Sequence, residues 1–310
     1  MHHRMWALLA ALVLALSVAA CGSDSGGEGS DGGGDRPGDG KPAVRLGTKN
    51  FTEQFILGEL YAQALRAKGW DVELKRDIGS AEVIDRALTS GRIDLYPEYT
   101  GTSLSVVAGR HGTPRTAEAT YRQAKAFYER RGQTLLARTP FEDRDALAVT
   151  RGFARRHGGL HSTEDLEGVG TVRLGAAPEF RTRYAGLQGL RSEYGLDNLR
   201  FKAIPIDGIF DALDRGVIEA ADVFTTDPRL ATGKYVVLKD PMAIFGFQNV
   251  APVVSKKVLD AQGRAFARTL DAVSATLTTD VMQQLNDEVA VDGREPQDVA
   301  REYLQAKKLA

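Results

Sequence analysis

The chain has 310 residues, 43% of them hydrophobic and 26% charged, which is more than one small core needs. Its formal net charge of −1, with no basic run or aromatic-plus-basic stripe, excludes nucleic acid as a partner. Phosphate binding needs a clustered Lys/Arg excess. A single cysteine, Cys21, excludes a disulfide framework and a multi-thiolate metal centre.

The start reads Met1-His2-His3-Arg4, then an apolar run from Met5 to Leu16, then Val18-Ala19-Ala20-Cys21. A basic start, an apolar stretch and small residues before a cut make an export signal. The run is too short to cross a bilayer of roughly 30 Å as a helix. Its end resembles a bacterial lipobox, so residues 1–21 read as a lipoprotein signal peptide, with Cys21 as the lipid anchor. Two or more acyl chains would hold the protein on the outer face of the cell membrane, or in a periplasm. Residues 22–42 are mostly Gly, Ser, Asp and Glu. They cannot bury apolar area and read as a disordered tether spanning roughly 25 Å.

Folding is expected from Ala43. Ala43–Gly47 reads as a strand, with Thr52 as the N-cap of a helix from Glu53 to Lys68. Val72–Leu74 is a second strand, followed by a helix capped by Ser80 and closed by Ser90-Gly91. Ile93–Leu95 is a third strand and leads into Tyr96–Thr102. Strands separated by single helices predict βαβ units and a parallel sheet. After a helix over Ala117–Arg131 and a strand near Thr134–Leu136, a second series begins at Asp145–Val149. It continues through strands at Val172–Leu174, Phe201–Ala203, Ala221–Phe224 and Tyr235–Leu238. Val250–Val254 is a further strand, and helices follow from Val258. Two such series predict two α/β lobes, residues 43–144 with 254–310 and residues 145–253, joined by two crossings. A small solute would lie in the cleft between them, with hinge closure as the natural motion.

No Gly-x-Ser-x-Gly elbow, phosphate-cradling Gly-x-x-x-x-Gly-Lys loop or His-Glu-x-x-His is present. His111, His157 and His161 share no metal-ligand spacing. The residues therefore predict no enzyme, no metal and no cofactor.

Lys49-Asn50-Phe51-Thr52-Glu53-Gln54, Ile56-Leu57-Gly58-Glu59-Leu60 and Ile93–Thr102 resemble the substrate-binding proteins of osmoprotectant ABC importers. Ala177-Pro178-Glu179-Phe180 with Arg183, Thr225-Thr226-Asp227 and Ala251–Val254 extend the resemblance from Val44 to the C-terminus. It implies the type II periplasmic-binding-protein fold, two α/β lobes around a ligand cleft. The implied ligand is a glycine betaine-, choline- or carnitine-like osmolyte, and the implied partner is a membrane permease; a monomer is the expected state. A quaternary ammonium donates no N–H, so aromatic faces hold it by cation–π contact, and its carboxylate takes charge-assisted hydrogen bonds. The resemblance implies Lys49, Tyr99 and Thr102 as first-lobe contacts and Arg183 as the second-lobe arm on the carboxylate. It also implies tyrosines where this chain has Asp145, Phe224 and Gln248. Asp145 and Gln248 suit a ligand that donates hydrogen bonds, unless Phe247 and Tyr96 swing in to rebuild the cage. Two alternatives stay open: a non-quaternary amine or amino-acid-like ligand, and a sensing role in place of transport.

Overall fold

The computed structural model describes residues 36–112 and 114–310. The expected signal peptide, Cys21 and residues 22–35 of the expected tether lie outside the described residues. Residues 36–42 are not tether. The Gly38 amide donates to the Lys68 carbonyl at 2.9 Å, and Gln262 donates to the Pro42 carbonyl at 2.9 Å. A Cβ on Gly38 would sit 2.3 Å from the Trp70 amide nitrogen, so this docking needs a residue without one.

The first sheet contains β1 (Val44–Gly47), β2 (Val72–Lys75), β3 (Leu95–Tyr99), β4 (Gln133–Leu135) and β10 (Val250–Ser255), in the order β2-β1-β3-β10-β4. The second contains β5 (Asp145–Thr150), β6 (Val172–Ala176), β7 (Leu199–Ala203), β8 (Ala220–Phe224) and β9 (Tyr235–Val237), in the order β7-β6-β8-β5-β9. The parallel expectation holds for β1 with β2 and β3, and for β6 with β7 and β8. It fails at β10 and β5, which run antiparallel to both neighbours. Each of these strands enters its lobe from the other lobe, at the carboxyl ends of the parallel strands, and so must run backwards.

The second crossing also falls earlier than expected. Val250–Val253 is expected in the second lobe, yet Val250–Val254 of β10 pair with β3. Asn249 sets the boundary: its side chain donates to the Thr139 and Phe141 carbonyls at 3.2 and 2.9 Å, tying the two crossings together.

Helix α1 (Thr52–Ala67) buries Ile56, Leu57, Leu60 and Leu65 completely, each side chain contributing about 1.5–3 kcal/mol. Phe266, Leu270, Val273 and Leu304 of the C-terminal helices join the same core. The N-cap of α1 is Phe51 in extended geometry, not Thr52, which is the first helical residue. The second lobe closes around Leu147, Val149, Leu174 and Leu190. Among the described residues no helix is long and apolar enough to cross a membrane.

Candidate ligand-binding site

Because β5 and β10 run against the parallel strands, the amino ends of both meet the carboxyl ends of β1, β3, β6 and β8 at one edge. Loops at the carboxyl ends of parallel strands are where open α/β sheets take ligands. Lys49 follows β1, Tyr99 ends β3, Thr102 lies just beyond it, Asp145 opens β5, Arg183 follows β6, Phe224 ends β8 and Gln248 precedes β10. All seven line a single cavity of about 60 Å³. That is room for roughly four to six waters, and so for a small metabolite but not a peptide.

Their partners differ from the expectation. Lys49 is buried and ion-paired with Glu98, which is fully buried, while its ammonium sits 4.6 Å from the centre of the Tyr99 ring. Burial pulls the Lys49 ammonium below its usual range against the opposing charge of Glu98, and burial pushes Glu98 up against the charge of Lys49. The Tyr99 hydroxyl donates to Glu53 Oε1 at 2.8 Å. Gln248 Oε1 accepts from the Thr102 amide at 2.9 Å and its hydroxyl at 3.3 Å, while Gln248 Nε2 donates to the Phe245 carbonyl at 3.0 Å. Gln248 thus holds the Thr102 turn in place. Gly101 permits that approach, since a Cβ there would lie 2.7 Å from both Gln248 Nε2 and the Phe247 carbonyl oxygen.

Arg183 reaches across the cleft to Glu82 on α2 (Ala81–Thr89), with Nε to Oε1 at 3.1 Å and Nη2 to Oε2 at 2.9 Å. Further contacts join the lobes. Thr226 donates to Glu53 Oε2 at 2.6 Å, and His111 stacks on Tyr184 with ring centres 4.9 Å apart.

The aromatic wall contains a ring that the sequence reading passed over. Phe51 stacks on Phe224 at 5.3 Å and on Tyr99 at 6.1 Å, forming a slab along the cavity. Its signal was its place between a strand end and a helix start, inside the Lys49–Gln54 stretch. Tyr96 does not rebuild the cage: it is fully buried and bonded to Glu98 and Tyr128. Phe247 lines a separate surface pocket. Arg144 pairs with Glu142, which leaves Asp145 to the cavity.

The lining carries two cationic side chains, Lys49 and Arg183, against four acidic ones, Asp143, Asp145, Glu179 and Asp222. Burial pushes Asp143, Asp145 and Asp222 above the usual carboxylate range, and Asp145 raises Asp222 further.

Two α/β lobes crossed twice by the chain, with a small polar and aromatic cavity at their facing edges, define a type II periplasmic-type solute-binding protein. Residues 42–306 match the family described as the substrate binding domain of the ABC-type glycine betaine transport system, and the chain belongs to that family of solute-binding proteins, which are not enzymes. A glycine-betaine-binding protein of Pseudomonas aeruginosa is 36% identical over 86% of this chain and 88% of its own length. The glycine betaine-binding protein YehZ of Escherichia coli is 29% identical over 85% of this chain and 90% of its own. Its ligand-free structure superposes with a TM-score of 0.62. A solved glycine betaine/carnitine/choline ABC transporter structure shares the fold at a TM-score of 0.68 and 24% identity, covering 86% of this chain and 99% of the other.

Proposed function

We propose that the cavity between the lobes captures a small amine-headed osmolyte, zwitterionic or cationic, and delivers it to the permease of an ABC importer. The observation that carries this reading is the convergence of the Phe51–Phe224–Tyr99 slab, the Asp145 carboxyl and the Arg183 guanidinium on one small cavity closed from both lobes. Aromatic faces and carboxylates receive the cationic head, and Arg183 with Thr102 receives a carboxylate tail. The relatives named for glycine betaine make that zwitterion the reference ligand. Binding that touches both lobes favours their closure. The working unit is a monomer without a cofactor.

Export and lipidation at Cys21, with residues 22–35 as the tether, complete the proposal. A Cys21→Ser variant released from the membrane fraction supports it, and one that stays membrane-bound overturns it.

Thermal unfolding against glycine betaine, choline, carnitine, their less-methylated analogues and neutral amino acids tests the binding role. A ligand at about 100 times its dissociation constant stabilises by roughly 2.7 kcal/mol, a shift of a few degrees. A shift with amine osmolytes that Phe224→Ala removes is the expected result; no shift with any of them sinks the reading.

A further inference from the structure

The cationic end of the cavity is built from one face of the second sheet. Register places Asp145 of β5 opposite Phe224 of β8, and Leu147 opposite Asp222. Side chains two apart share a face, so Asp145, Asp222 and Phe224 stand together at the strand ends. Asp222 is 7% exposed and lines the cavity, and its Oδ1 has no hydrogen-bond partner. A buried acceptor left unpaired costs free energy that a ligand donor would recover.

The protein's own cations do not supply that donor. Lys49 is committed to Glu98, and Arg183 to Glu82 with Glu179 at 3.9 Å. Among the described residues neither Asp145 nor Asp222 lies in an ion pair with a chain cation. Asp143, by contrast, is occupied by the Thr226 amide at 3.1 Å and the Thr225 hydroxyl at 3.4 Å. Asp145 and Asp222 share a hydrogen bond with each other, so the open acceptor is Oδ1 of Asp222 in that pair, beside a phenyl ring.

We infer that this site selects a cation carrying at least one N–H, an incompletely methylated ammonium, with Asp145 and Asp222 accepting from it while Phe224 and Phe51 cover its methyl groups. The inference rests on the binding role proposed above and names the head group that role favours. A fully quaternary head presents only C–H to Asp222 and leaves its Oδ1 unpaired. A head with one N–H fills that acceptor and still offers methyls to the rings. The charge-assisted hydrogen bond also adds a directional contact that a cation–π contact with a phenyl ring lacks.

The test is calorimetric titration of the full-length protein with glycine betaine, dimethylglycine, sarcosine and glycine, which share a carboxylate and differ only in methyl count. Dimethylglycine or sarcosine is expected to bind roughly 5- to 150-fold more tightly than glycine betaine, the ratio set by one buried acceptor satisfied or not. Asp222→Asn is expected to collapse that ratio. Asp145→Asn provides the same readout should the first variant fold poorly. Glycine betaine binding tightest in the unaltered protein overturns the inference and leaves the proposed binding role standing. A preference that survives in both variants overturns it too, because the selectivity then comes from elsewhere. No binding by any of the four overturns the inference together with the proposed role.

Discussion

Glu82 and a ligand carboxylate compete for the same guanidinium, and Glu82→Gln separates them. Arg183 offers Glu82 two parallel N–H donors, at 3.1 and 2.9 Å. Against the upward push of burial, the bonds and charge of Arg183 hold the Glu82 carboxyl down to about 2. The full shift would correspond to about 3 kcal/mol. The Glu82 side chain is 34% exposed, however, so solvent screening reduces the interaction to about 1–2 kcal/mol. A ligand carboxylate that takes Arg183 must overcome that much. The substitution should therefore improve binding of a carboxylate ligand by roughly 5- to 30-fold relative to one without. Dimethylglycine and dimethylethanolamine make the comparison clean, since their heads are identical and one ends in a carboxylate, the other in an alcohol. Loss of the bridge between lobes affects both equally and cancels in the ratio of their Kd values, read by calorimetry. An unchanged ratio would refute the reasoning, because Arg183 would then not be the carboxylate receptor, or Glu82 not its rival.

Three more outcomes follow from the same contacts. Lys49→Ala strands Glu98 as an unpaired buried charge and should destabilise the fold by about 3–5 kcal/mol, whereas Lys49→Met with Glu98→Gln should recover most of that loss. Urea unfolding checks it, and a single-variant loss below about 1 kcal/mol would show that the pair is not needed. Phe51→Leu keeps a buried apolar group at the head of α1 but removes the ring, and should weaken ammonium binding by about 0.5–2 kcal/mol. Equal affinity would remove Phe51 from the cation wall. The third outcome concerns pH. Burial raises Glu53, Asp143, Asp145 and Asp222, so the ligand-free folded protein holds protons that the unfolded chain releases. Their stabilisation is complete at low pH and is lost as pH rises through the folded values. The carboxylates held low, Glu82 and Glu219, lose stability only as pH falls below about 4.5. Melting temperature without ligand should thus rise from about pH 7 to pH 5, and Asp222→Asn should flatten the slope; a melting temperature that instead rises toward neutral pH contradicts this.

Much of this protein was legible from its residues alone. The alternation of strands and helices, set by side-chain periodicity, located both lobes, and the seven site residues that the resemblance implies line one cavity because each sits at a strand end or in the loop beside one. The resemblance pointed to Arg183, and Arg183 lines that cavity where Arg181 does not. What tertiary structure decided were the pairings. Strand direction at β5 and β10 depends on which lobe the chain arrives from, and local pattern carries no such information. Whether Lys49 and Arg183 are free for a ligand depends on Glu98 and Glu82, brought to them by sheet order and by the approach of the lobes. Gln248 is held by Thr102 from another strand end, and Asp222 joins Asp145 only through the antiparallel register of β8 on β5. Periodicity along the chain is a one-dimensional signal set by burial, so it reports which side chains face inward; the partner each one meets is fixed only when distant segments pack.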